Sequence, residues 1–181
     1  MIAPEDILAF WFAETTRSKW FASTPEFDAL IRERYEALWQ SACRGELASW
    51  QATAEGSLAL AIVLDQFPRN MYRGEALAFA SDAQALTLIR HALASGLDQQ
   101  IDRARLAFLY LPLMHSENAV DQDSSVQLFE AAGLEVNLRF ARHHRDIVRR
   151  FGRFPHRNAV LGRESTAEEQ AYLASKEAFK G

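Results

Sequence analysis

The sequence predicts an all-α protein built of antiparallel helical hairpins, with seven to eight helices. Three observations carry that reading. Apolar residues recur at helical spacing along most of the chain, and proline or glycine interrupts them at short intervals. No alternating β-branched run bounded by turn signals is long enough for a strand. The connections are short, so successive helices should lie antiparallel.

Pro4-Glu5-Asp6 opens the first helix, with acids at the positive end of its dipole, and the helix runs to about Ala13. Thr24 caps a longer helix with Pro25 at its first position. Phe27, Ile31, Tyr35, Leu38 and Ala42 form one face, and Gly45 ends it. A third helix spans 54–66 and is expected to stop at Phe67-Pro68, because proline lacks an N–H and clashes with the preceding turn. Ser81 or Asp82 starts the next, closed by Gly96. Another runs over 101–110 and is expected to break at Pro112. One over 120–132 stops at Gly133. The helix over 135–151 carries a stripe of Val136, Phe140, Ile147 and Phe151 and is followed by a second proline turn, Phe154-Pro155. Ser165 and Glu168 fit a capping box for a last helix to about Ala174. Residues 1–174 are expected to form a single domain and 175–181 a flexible tail.

The composition is that of a globular chain, 49% hydrophobic and 24% charged over 181 residues, with a net charge of −4. That balance argues against a dedicated nucleic-acid binder. Charge is uneven, however. Residues 139–163 hold eight arginines and one acid, a net +7 that leaves −11 for the rest. A solvated face complementing acids elsewhere is the plainer account of this segment, and a polyanion or RNA surface is the sharper alternative. The single cysteine, Cys43, forbids an intrachain disulfide and suits a reducing compartment; it reads as a small buried hydrophobe. Acids near the N-terminus and the lack of a long apolar run predict a cytoplasmic protein with no signal peptide and no membrane span. All four tryptophans fall in the first fifty residues, among Phe10, Phe12, Phe21, Phe27 and Tyr35, as material for a core between the early helices.

The polar residues that could do chemistry gather at the two proline turns and at one segment between them. Asp65, Gln66, Arg69, Asn70 and Arg73 surround the first turn. Arg153, His156, Arg157 and Asn158 form the second, 87 residues on. His115-Ser116-Glu117-Asn118 lies between. Arginine forks with carboxylates suit a small anion or zwitterion. His115 or His156 with Glu117 or Asp65 as orienting carboxylate offers the alternative of histidine acid–base chemistry in a hydrolase or transferase. The plainer account makes Ser116 or Asn118 a helix cap and pairs Asp65 with Arg69 at i, i+4. His143 and His144 sit near the apolar stripe of their helix. No Gly-x-Ser-x-Gly elbow, His-Glu-x-x-His or cysteine pair occurs, so neither a metal nor another cofactor is expected.

Several stretches resemble the bacterial domain of unknown function 924 family: Phe10-Trp11-Phe12, Trp20-Phe21, Leu64-Asp65-Gln66-Phe67-Pro68-Arg69-Asn70, Leu111-Pro112-Leu113-Met114-His115-Ser116-Glu117, and Phe151-Gly152-Arg153-Phe154-Pro155-His156-Arg157-Asn158. They spread over roughly residues 7–173. The resemblance implies an all-helical fold like that of tetratricopeptide-repeat proteins, and implies no activity. The functional expectation is a helical binding protein whose polar pocket is formed by both proline turns and the His-Ser-Glu segment. Its ligand would be a small anionic or zwitterionic molecule or a peptide end.

Overall fold

A computed structural model describes residues 2–179. Among the described residues there is no strand, and ten α-helical segments occur: α1 (Pro4–Phe12), α2 (Glu14–Arg17), α3 (Pro25–Cys43), α4 (Ala54–Ala61), α5 (Phe67–Met71), α6 (Asp82–Ala94), α7 (Arg103–Met114), α8 (Ala119–Ala131), α9 (Glu135–Phe151) and α10 (Ala167–Leu173). A π-helical stretch, Ile62–Gln66, joins α4 to α5 without a break, and α2 is a single turn. No described helix is long and apolar enough to cross a membrane.

The chain divides into two compact units. The first holds the chain up to Arg73 together with Leu77–Pro112; the second holds Gly74–Ala76 and the chain from Leu113 onward. The core of the first is aromatic. Trp11 stands edge-on to Phe67 and Phe108 at 5.7 Å from each, and Phe67 stacks on Tyr35 at 4.8 Å. The early tryptophans thus meet α7 as well as the early helices. Phe21 does not join them; it is 81% exposed. Along α3 the buried face is Ile31, Tyr35, Trp39 and Ala42, with Thr24 accepting the Phe27 N–H at its start.

Pro68 does not end its helix, contrary to expectation. A proline at 68 cannot donate to the Leu64 carbonyl, and its ring presses on that same group. The backbone widens instead into π geometry, so that the Phe67 N–H reaches back to the Ile62 carbonyl. The orphaned Leu64 carbonyl accepts the Ser81 hydroxyl at 2.5 Å, and Ser81 Oγ in turn accepts Trp39 Nε1 at 2.9 Å. All three groups are buried or nearly so, with Ser81 fully enclosed. Ser81→Ala should therefore strand a buried carbonyl and a buried indole N–H together, costing about 2–4 kcal/mol in urea unfolding. A loss below about 0.5 kcal/mol would show that the relay does not sustain the proline-bearing helix.

Pro112 is also carried inside a helix, since α7 continues to Met114. It stands in the last turn, and the chain leaves the helix soon after, where the Ser116 N–H closes on the Leu113 carbonyl. In the second unit, α9 has the expected bounds but a different buried face. Leu138, Ala141, His144, Ile147 and Val148 point inward, while Val136 and Phe140 are exposed. Ala141 and His144 complete the inner stripe, so selecting the bulkiest residues displaced the expected face. Gly152, at φ +71°, ends α9 with its N–H on the Val148 carbonyl. The capping box of α10 is Thr166 with Glu169, one residue beyond the expected pair. Ser165 instead accepts a hydrogen bond from the Asn158 amide. In the tail, Ala178 and Phe179 pack on Ile147, Val148, Phe154 and Tyr172. Residues 180 and 181, part of the expected flexible tail, lie outside the described residues.

Candidate functional site

The polar residues of the first proline turn belong to the first unit and are matched by acids from other elements. Arg69 grips Asp82 with both terminal nitrogens, at 2.9 and 3.1 Å, and also reaches Asp65 Oδ1 at 3.1 Å. Gln66 donates to the other Asp65 oxygen. Asn70, Ser23 and Arg73 all donate to Asp28. Burial works against the charge on Asp28, but those three donors outweigh it and hold its carboxyl below the usual range. This i, i+4 pair of Asp65 and Arg69 is thus completed by Asp82, while Asp28 gathers a separate group of donors. Neither Asp28 nor Asp82 carried a local sequence signal as a partner.

The second turn and the His-Ser-Glu segment come together within the second unit. Glu117 takes Arg163 through two parallel hydrogen bonds, 2.7 and 2.9 Å, and accepts the Phe154 N–H at 2.8 Å. Arg157 donates to the His115 carbonyl, and the Gln122 amide donates to the carbonyls on either side, Met114 and Ser116. The turn over 114–117 is therefore clamped from α8 and from the second proline turn. Ser116 donates to Asp121, while Asn118 Oδ1 caps α8 by accepting the Val120 N–H, the plainer role foreseen for it. Nearby, Glu169 is 2% exposed and takes Arg153 in two hydrogen bonds as well as the Thr166 N–H and the Asn158 amide. Hydrogen bonding from Arg153 is the chief reason its carboxyl falls to about 2.

This arrangement assigns the carboxylates to binding arginines. Glu117 keeps a lowered pKa despite burial because Arg163 and the Phe154 amide hold its charge. Both of its oxygens are engaged there, and its charge also acts on His156, whose protonated form it favours. Arg163 and Glu169 were missed as partners. Arg163 stood in the sequence after Gly162, and Glu169 stood at the third position of a helix, but only packing selects them from the many charged residues available.

What the network leaves is a group of histidines. His144 is buried; its Nδ1 donates to the Phe140 carbonyl at 2.8 Å, and its ring faces Phe154 at 5.5 Å. His156 stands 5.6 Å from the same Phe154 ring, and the Arg157 guanidinium lies over that ring at 4.6 Å. Burial, followed by electrostatic opposition from His115, His143 and His156, lowers the His144 pKa to about 3. Burial, followed by Arg157, lowers that of His156 to about 4. His156 Nδ1 is buried and has no hydrogen-bond partner, and the same holds for Gln122 Oε1 on α8. Buried polar atoms normally find partners, so these two are hydrogen-bonding capacity that the described residues do not use.

The arginine-rich segment finds acids nearby: Arg142 pairs with Glu130, Arg149 with Asp123, Arg150 with Glu168 and Arg153 with Glu169. These pairs spread the segment's charge over local partners rather than leaving it as one open stripe. Among the described residues, no group of three or more His, Cys, Asp or Glu is placed to hold a metal ion. Cys43 is half-buried and burial pushes its thiol pKa up, which disfavours the reactive thiolate. A shallow hollow of ≈ 460 Å³ in the first unit is lined by Ile2, Asp6, Ala9, Phe10, Arg34 and Tyr35, none of them a candidate residue.

A solved protein of unknown function from Agrobacterium tumefaciens, ATU0120, is 42% identical to this chain, with a TM-score of 0.90 over 94% of this chain and 96% of that one. A comparison with curated proteins finds no match. The family described as bacterial protein of unknown function (DUF924) matches residues 7–177, nearly the whole of the helical structure and all of the second-unit network, and the chain belongs to that family.

Proposed function

We propose that the protein binds a small anion, carboxylate or phosphate in kind, at His115, His156 and Arg157 of the second unit. The observation that carries this reading is the state of His156. Its Nδ1 is buried without a partner, while Arg157, His115 and Arg163 all press its pKa downward and only Glu117 opposes them. Groups that disfavour its protonation and a buried polar atom with no partner among the described residues thus meet at one residue. A bound anion answers both: it accepts from the imidazole and from the guanidinium fork, and it neutralises the field.

The test is a titration with sodium phosphate and with sodium acetate, followed by imidazole proton resonances. Saturable shifts are expected at His115 and His156, together with a rise in the His156 pKa toward its ordinary value. Arg157→Gln should weaken binding by about tenfold or more, and Arg157→Lys by less, because lysine keeps the charge but loses the fork. Shifts that fail to saturate, or that persist unchanged in Arg157→Gln, would refute the reading.

A further inference from the structure

We infer that Phe179 is a displaceable plug in a slot beside this site, and that the ligand it gives way to is an aromatic carboxylate. The inference rests on the anion site proposed above and narrows its ligand class. The Phe179 ring stands edge-on to His144 with centroids 4.5 Å apart, to His156 at 5.1 Å and to His143 at 6.4 Å. Its slot is completed by Ile147, Val148, Phe154 and Tyr172. Three imidazoles and an apolar floor form a place shaped for one flat ring.

The occupant fits the slot's shape but leaves its polar chemistry unanswered. A phenyl ring carries no oxygen or nitrogen for His156 Nδ1, which is buried and has no hydrogen-bond partner among the described residues. Among the described residues one hydrogen bond holds Phe179, its N–H donating to the Tyr172 hydroxyl at 2.9 Å. Five residues without a helix separate Phe179 from the end of α10 at Leu173, and Lys176 and Glu177 among them are exposed. Withdrawal of the tail would break that hydrogen bond, the three ring contacts and the packing on the apolar floor, and would leave the Tyr172 hydroxyl without the N–H it accepts. An aromatic carboxylate restores the ring contacts and adds an acceptor where the phenyl offers none. Its ring takes the phenyl's place among the imidazoles, and its carboxylate accepts from Tyr172, His156 and Arg157.

Benzoate and acetate share a carboxylate and differ in the ring, so titrating both into the full-length protein and into Phe179→Ala separates the two ideas. If the plug occupies the site about nine-tenths of the time, its removal should raise benzoate affinity about tenfold. Acetate affinity should change by less than about twofold, since acetate does not need the slot. Phe179→Leu keeps the slot filled and should bind benzoate like the unaltered chain. Loss of acetate binding throughout would remove the anion reading itself. Acetate binding with benzoate no tighter in Phe179→Ala would overturn the plug while leaving that reading intact. Equal gains for both anions would show a tail that gates without an aromatic slot, and would overturn the ligand class.

Discussion

Acidification from about pH 6.5 to about pH 4.5 should remove about 3–5 kcal/mol of folding stability, through His144 and His156. Both are neutral in the fold, with pKa values lowered from 6.5 to about 3 and about 4. A depressed histidine pKa means that the unfolded chain binds the extra proton first. Between the folded and unfolded values the unfolded state therefore carries more protons, and stability rises with pH. The contribution is complete above about pH 6.5 and is lost as the pH falls toward the folded values. Each group contributes about 1.4 kcal/mol per pH unit within its window, and the half-buried His156 less because water screens it. The carboxylates act lower on the scale: Glu169, held at about 2, gives up its contribution only once the pH drops below the ordinary carboxylate range near 4.5. Urea unfolding at about pH 7, 6 and 5 should show the midpoint falling at constant m-value. His144→Gln should flatten the slope by about one proton. A stability that is level over this range would mean that the imidazoles are not buried neutral.

Phe154→Ala should cost about 3–5 kcal/mol, the range for emptying a fully buried aromatic position. Phe154 is wholly enclosed, and its ring is the common surface for His144, His156 and Arg157. Its backbone N–H still donates to Glu117 in the variant, so the cost reports the ring and not the ion-pair network. The cavity should also admit water to both imidazoles, raise their pKa values toward 6.5 and weaken the acid sensitivity. Phe154→Leu should lose less than about 1.5 kcal/mol, because leucine refills most of the space. An alanine variant as stable as the parent would mean that the histidines are not supported from this ring.

The helix termini were legible because their chemistry is local. Thr24 and Pro25 start α3, and Gly152 ends α9 in the left-handed conformation, using only atoms within a few residues. The proline at 68 was misread for the opposite reason. Its helix survives because Ser81 and Trp39, distant in sequence, satisfy the carbonyl that proline abandons. The face of α9 was misjudged because an alanine and a histidine form part of its buried stripe, and neither weighs much in an apolar pattern.

The candidate site divides along the same line. Of the candidates read from the sequence, His115, Glu117, Arg153, His156, Arg157 and Asn158 all fall in the second unit. The sequence could not say which would be consumed. A carboxylate pairs with any arginine that packing brings within reach, so Glu117 goes to Arg163 and Glu169 to Arg153 through choices that no spacing rule encodes. By itself, then, the sequence determined an all-helical chain and most of its helix ends, because backbone hydrogen bonding and side-chain periodicity act over a few residues. Only the tertiary structure decided which charges cancel, which histidine is buried, and that Phe179 lies on the imidazoles, because burial and electrostatic pairing depend on which surfaces meet.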